Sequence, residues 1–176
     1  MTGESGYVIT PADRAALLRG PLGAVLMLAG DRTGGRLSLV EHPLEPRALG
    51  SPLHTHRDED EYSVVLEGQV GAQIGGQTVV AGPGTVLVKP RGVPHAFWNP
   101  ADQPARLLEI ISPAGFEGYF AGLAEIFAGD GPPDPVLLAE LAARYRLDVD
   151  LASIPRLAAA HGLRVPGPGG PALGPA

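Results

Sequence analysis

The sequence predicts a mainly β protein, an antiparallel β-sandwich or small barrel followed by a C-terminal helical appendage. Residues 37–111 form short apolar runs bounded by glycine, proline, asparagine or aspartate, at intervals of about ten residues. After Pro113 the apolar residues recur at three- and four-residue steps, which is a helical period. The 176 residues are 44% hydrophobic and 18% charged, a composition that buries a core and excludes a disordered chain.

The first elements are predicted from short local patterns. Residues 6–11, GYVITP, are predicted as an edge strand, and residues 12–20, ADRAALLRG, as a short helix. Residues 23–31, GAVLMLAGD, are predicted as a further strand, and residues 31–36, DRTGGR, as a turn.

The central strands follow as a series of runs with turns between them. Glycines at 68, 75, 76, 82 and 84 fall at these turns, where a tight turn needs positive φ. Many short strands with regular turns predict a sandwich or a barrel. The runs are RLSLVEH (36–42), EYSVVLEGQVGAQI (61–74), QTVVAG (77–82), GTVLVKP (84–90), HAFWN (95–99) and ARLLEII (105–111).

Three helices are predicted in the C-terminal part, over residues 116–129, 134–148 and 150–162. Asp134 suits an N-cap and Pro135 the first helical position, while Gly162 would end the third helix. We therefore divide the chain into a barrel with an N-terminal segment (1–112), a helical extension packed on the barrel (113–164) and a flexible Pro/Gly tail (165–176).

Composition also excludes several functions. The chain has no cysteine, which excludes disulfides, thiolate catalysis and iron–sulfur clusters. A formal net charge of −6 argues against nucleic acid or an anionic membrane as partner. The start shows no signal peptide, and no apolar run reaches the roughly 18 residues of a membrane span, so we expect a cytoplasmic protein.

The stretch HTHRDEDEY, residues 54–62, carries two histidines one residue apart. On a strand such residues face the same side, so His54 and His56 could bind one ion together. Glu61 opens the next apolar run, and a short loop could return its carboxylate to the same cluster. Asp60 competes for that role, but the longer side chain and the spacing favour Glu61. The acids between, residues 58–60, are predicted to be a solvated loop.

A second stretch, GTVLVKPRGVPHAFWN, residues 84–99, places His95 directly after a rigid Pro/Gly turn. Strand alternation puts Phe97 on the face of His95 and Trp98 on the opposite face.

These two stretches resemble the two motifs of the cupin superfamily, a jelly-roll β-barrel. The first motif is matched by Gly50, His54, His56, Glu61 and Gly68, although three residues rather than five separate Gly50 from His54. The second is matched by Gly84, Pro90, Gly92, His95 and Asn99. The chain also looks like the small single-domain cupins of actinobacteria that are labelled quercetin dioxygenase-like.

The resemblance implies that His54, His56, Glu61 and His95 bind one divalent transition-metal ion. The candidates are iron, manganese, nickel, copper, cobalt and zinc, and a tetrahedral zinc would make the site structural. The implied function is a metal-dependent dioxygenase acting on a small phenolic or enolic compound, with Glu61 as ligand and base. The alternatives are a non-catalytic small-molecule binding or sensing module and a metal-dependent isomerase.

Further residues are assigned smaller roles. Phe97, Gln73 and Glu109 are candidates to bind the substrate, because the other barrel-facing residues are mostly Val, Leu and Phe. His42 and His161 are interpreted as structural or surface residues. Because an open sandwich leaves strand edges that dimerisation commonly covers, we also expect a homodimer.

Overall fold

The computed structural model describes residues 6–129 and 131–164 and shows two antiparallel β-sheets with a common core. The six-stranded sheet has the order β1-β2-β3-β10-β5-β8, and the five-stranded sheet has the order β11-β4-β9-β6-β7. The strands are β1 (Ala15–Leu18), β2 (Ala24–Leu28), β3 (Ser38–Leu44), β4 (Leu53–His56), β5 (Asp60–Glu67), β6 (Val70–Ile74), β7 (Gln77–Ala81), β8 (Val86–Lys89), β9 (His95–Trp98), β10 (Ala105–Ser112) and β11 (Leu147–Asp150).

Three α-helices complete the described fold: α1 (Glu117–Phe127), α2 (Pro135–Arg144) and α3 (Ser153–His161). This architecture confirms the predicted mainly β class with C-terminal helices. Asp134 caps α2 as expected, since its Oδ1 accepts a hydrogen bond from the Val136 N–H at 2.8 Å. None of the described helices is long and apolar enough to cross a membrane. The predicted tail, residues 165–176, lies outside the described residues.

Alternation along the strands produces the core between the sheets. Strands β5 and β10 bury every second side chain, and Val65 and Leu107 meet Phe97 and Ala72 of the opposite sheet. One half of this interior is apolar. The other half, towards the start of β5 and the end of β8, holds buried polar side chains.

Two N-terminal predictions are wrong. Residues 6–10 form no strand, and the predicted helix at residues 12–20 is a short 3-10 turn (Pro11–Asp13) followed by β1. The segment lies between Pro11 and the Gly20-Pro21 turn, so a helix there would have about two turns, too few to be stable alone. Pairing with β2 satisfies the backbone of Ala15 and Ala16 instead.

The segment 113–164 is not helical throughout. The predicted helix over residues 134–148 ends at Arg144, because Arg146 adopts a positive φ of 50°. The chain then forms β11, which pairs with β4 along its whole length. Strand β4 pairs in register with its other neighbour, β9, at His54 and His95 only, and β11 covers its opposite edge.

Candidate metal centre

The four predicted ligand residues converge between the two sheets. His54 and His56 lie on β4, His95 lies opposite His54 on β9, and Glu61 lies on β5 of the other sheet. One ligand atom from each residue lies within 4.8 Å of all the others. The side chains are buried, and His54 is the most exposed at 9%.

Each histidine ring is oriented by a hydrogen bond from its Nδ1. In His54 the Nδ1–H donates to the Pro52 carbonyl at 2.9 Å, and in His95 to the Val93 carbonyl at 3.0 Å. In His56 the Nδ1 lies 3.3 Å from Glu59 Oε2. Because carbonyls and carboxylates accept, the Nδ1 atoms carry protons, and in the neutral form of each ring the Nε2 lone pair is left for an ion.

A buried charge network adjoins Glu61. Its Oε2 accepts a hydrogen bond from Lys89 Nζ at 2.8 Å and lies 3.1 Å from His95 Nε2. Lys89 Nζ also donates to Glu109 Oε2 at 2.7 Å, and Ser63 Oγ lies 3.0 Å from both Glu109 carboxylate oxygens. The strand register explains this arrangement, since Lys89 lies directly opposite Glu61 and Glu109 directly opposite Ser63.

The pKa values follow from burial and from these charges. Burial alone would raise the pKa of Glu61, but Lys89 and His56 hold it well below its usual range. Burial lowers the pKa of His54 and of His95, so both rings are neutral. Burial also opposes protonation of His56, yet Glu61 and Glu59 raise its pKa to about 9.

The donor set fits a divalent transition-metal ion. Three imidazoles and one carboxylate are typical ligands of such ions, and the orienting Nδ1 bonds are usual in metal sites. One buried atom supports the fit independently. His56 Nε2 has no hydrogen-bond partner among the described residues, although Glu61 Oε1 is 3.2 Å away, so the two atoms are close but misaligned. An ion between them would satisfy both.

The acids at the start of β5 and in the loop before it have different environments. The Asp60 carboxylate pairs with Arg91, at 2.8 and 3.0 Å, and lies outside the ligand group. Asp58 pairs with Arg146 at 2.7 Å. The prediction that these residues are a solvated loop is wrong for Glu59, which is buried against His56. Little in the sequence indicates this burial, because Glu59 is one of four consecutive acids and no pattern distinguishes it from the others.

The predicted substrate-binding residues are separated in the structure. Phe97 faces the interior, with its ring centroid 5.4 Å from Lys89 Nζ, and Glu109 lies in the charge network. Gln73 lies on β6 between the inward-facing Ala72 and Ile74, so it occupies the other face of that strand.

The two remaining histidines lie elsewhere. His42 is buried and donates from Nδ1 to the Gly23 carbonyl at 2.7 Å, while His161 stacks on Trp98 with ring centroids 4.1 Å apart. Both therefore have structural contacts, in line with their interpretation from the sequence. As alternation predicts, Trp98 lies on the face of β9 opposite Phe97, packed against α3.

Lys89 was not predicted as part of the site. It is the only lysine of the chain and is 1% exposed. A signal was available, because alternation in VLVK puts Lys89 on the same face as the buried Leu87.

The C-terminal segment covers the centre. Phe116, just before α1, lies edge-on to the His56 ring with centroids 4.3 Å apart and is itself buried. A depression of about 280 Å³ approaches His54 from the surface, between β4 and β11. Its walls are Leu53, His54, Thr55, Pro94, Asp148, Val149 and Asp150.

Comparisons with known proteins agree with this fold. Residues 41–111 match the family model for the cupin domain, whereas no curated protein matches the chain. KdgF from Halomonas sp. is 18% identical, with a TM-score of 0.53 over 63% of this chain and 96% of that one. A predicted oxalate decarboxylase from Thermotoga maritima is 20% identical, with a TM-score of 0.54 over 61% and 99% of the respective chains.

The polyketide cyclase RemF from Streptomyces resistomycificus is 24% identical, with a TM-score of 0.52 over 61% of this chain and 80% of that one. At such identities the likeness shows the fold alone. The matched segment contains all four residues of the candidate metal centre. Residues 41–111 therefore match a cupin domain, and the described fold is similar to that of known cupins, with a group of possible metal ligands between the two sheets.

Proposed function

We propose that the protein is a metal-dependent, dioxygenase-like enzyme that acts on a small phenolic or enolic compound. His54, His56, Glu61 and His95 would hold one divalent transition-metal ion. The observation that carries the proposal is the convergence of their ligand atoms within 4.8 Å in a buried site, with His56 Nε2 left unpartnered. The bound ion would supply Lewis acidity and a template for an oxygen-bearing substrate.

The residues of the chain would divide the remaining work. Glu61 stays ionised at neutral pH, so its carboxylate can both bind the ion and accept a proton from the substrate hydroxyl. The low pKa makes it a weak base, which suits an acidic phenol or enol better than an alcohol. Phe116 and Phe97 would exclude water from the reacting atoms.

The buried polar groups favour this substrate class over a sugar. Lys89, Glu109 and Ser63 lie in the interior but hydrogen-bond to one another and to Glu61. Groups that are already satisfied have little capacity left for several substrate hydroxyls. A sugar isomerase would need such capacity near the metal.

Aerobic turnover by metal-loaded protein tests the proposal. Metal-free protein would be loaded in turn with iron, manganese, nickel, copper, cobalt and zinc, and oxygen uptake measured with a panel of flavonols and 1,3-diketones. We expect turnover with at least one metal, its loss in His95→Ala, and its retention in Asp60→Asn, since Asp60 neighbours Glu61 but pairs with Arg91. Equal activity in His95→Ala and wild type would contradict the proposal.

A second candidate is a non-catalytic module that binds a small molecule through its metal. The depression of about 280 Å³ at His54 supports it, because it gives a small molecule a place to bind beside the centre. The same panel separates the two candidates. Ligand-dependent changes in the spectrum of the cobalt-loaded protein, without oxygen uptake or product, would favour the binding module.

A further inference from the structure

Lys89 occupies an unusual position for a cation. It is 1% exposed, and its ammonium group lies between two buried carboxylates, Glu61 at 2.8 Å and Glu109 at 2.7 Å. A buried carboxylate without a cation nearby is strongly destabilising. In the metal-free protein Lys89 is thus the buried positive charge that lies against both acids.

A metal ion and Lys89 would act on the same carboxylate. Glu61 belongs to the ligand group, yet its Oε2 already accepts a hydrogen bond from Lys89. Each positive charge reduces the electrostatic gain from the other, and in a buried site this repulsion is screened only partly.

We propose that Lys89 is an internal counterion that stands in for the metal at Glu61. It stabilises the fold of the metal-free protein, and it lowers the affinity of the centre for a divalent ion. Glu109 has the opposite effect on affinity, because its carboxylate offsets the charge of Lys89. This inference rests on the proposed metal centre.

Counting the charges predicts how affinity should change. With the three ligand histidines neutral, Glu61, Lys89 and Glu109 carry a net charge of −1 when both acids are ionised. Burial raises the pKa of Glu109 to about 7, so the affinities are compared above pH 7. Lys89→Met would make that net charge −2, and Glu109→Gln would make it zero. The double variant returns to −1 and should restore the wild-type affinity.

Zinc affinity measured by competition with a chromogenic chelator tests this order. We expect Lys89→Met to bind Zn²⁺ roughly tenfold more tightly than wild type and Glu109→Gln roughly tenfold more weakly, the scale typical of residues that contact metal ligands. The double variant should bind like wild type. A residue that only orients Glu61 would instead give weaker binding in Lys89→Met and in the double variant, and that result would overturn the inference.

Thermal unfolding gives a second readout. Without metal, Lys89→Met should melt at a lower temperature than wild type, and Zn²⁺ should raise its melting temperature by more. If Lys89→Met does not fold without metal, the double variant, which removes one buried acid as well, still tests the affinity order against Glu109→Gln. Wild-type protein that binds no Zn²⁺, Co²⁺ or Ni²⁺ would contradict the metal centre itself, whereas equal affinities in all four proteins would contradict only the role of Lys89.

Discussion

His42 should make the stability of the protein depend on pH through its burial. It lies inside the barrel with its Nδ1–H donating to the Gly23 carbonyl. Burial lowers the pKa of His42 to about 4. Nearby charges have smaller effects: Glu61 and Glu41 raise this pKa, and Lys89 lowers it. The unfolded chain has an ordinary histidine pKa of 6.5. Between these values the unfolded state binds more protons, so stability rises with pH and is lost as the pH falls from 6.5 towards 4.

The magnitude follows from the difference between the two pKa values. Over the whole interval the loss is about 3 kcal/mol, and between pH 7.5 and pH 5 it is about 2 kcal/mol. The substitution His42→Asn retains a donor for the Gly23 carbonyl and removes the titration. Its cost in packing does not depend on pH.

Urea unfolding of wild type and His42→Asn at pH 7.5 and pH 5 measures this contribution. Because the ligand histidines titrate in both proteins, their effect cancels when one pH dependence is subtracted from the other. Wild type should lose about 2 kcal/mol more than the variant on acidification. The same loss in both proteins would refute a buried, neutral His42.

Three further predictions concern packing, capping and the metal. Gly71→Ala places a Cβ 2.1 Å from Trp98 Nε1, so it should lower the free energy of unfolding in urea by about 2–3 kcal/mol. The control Gly76→Ala, whose Cβ would have nothing within 4 Å, should change that free energy by less than about 1 kcal/mol. Asp134→Ala removes the acceptor of the Val136 N–H and should cost about 1 kcal/mol, most of it recovered in Asp134→Ser. Stripping the metal with a chelator should lower the melting temperature but leave the β-sheet circular dichroism at 25 °C, and readdition should reverse the change.

The central strands and the ligand histidines could be predicted from the sequence because both depend on local patterns. Alternation and turn glycines place β5 to β10, and the one-residue spacing of His54 and His56 puts both rings on the same face. Glu61 could be chosen over Asp60 from its longer side chain and its spacing. In the structure Asp60 is held away from the centre by Arg91, at 2.8 Å.

The features that could not be predicted depend on distant partners. Strand β11 has four residues without a strong strand pattern, and it forms because β4 offers an unpaired edge about 90 residues earlier in the sequence. The burial of Glu59 and the cover of Phe116 likewise depend on tertiary contacts with His56. Only the network of Lys89 and Glu109 could have been found from a local pattern. Alternation along β8 and β10 places both side chains on the buried face of their strands.

The metal content of the purified protein tests the central claim most directly. Elemental analysis of wild type should find about one divalent transition-metal ion per chain, and the double variant His54→Ala/His95→Ala should have almost none. Asp60→Asn, whose carboxylate lies outside the ligand group, should retain the wild-type content. A folded double variant that keeps the full metal content would contradict the claim that these residues form a metal centre.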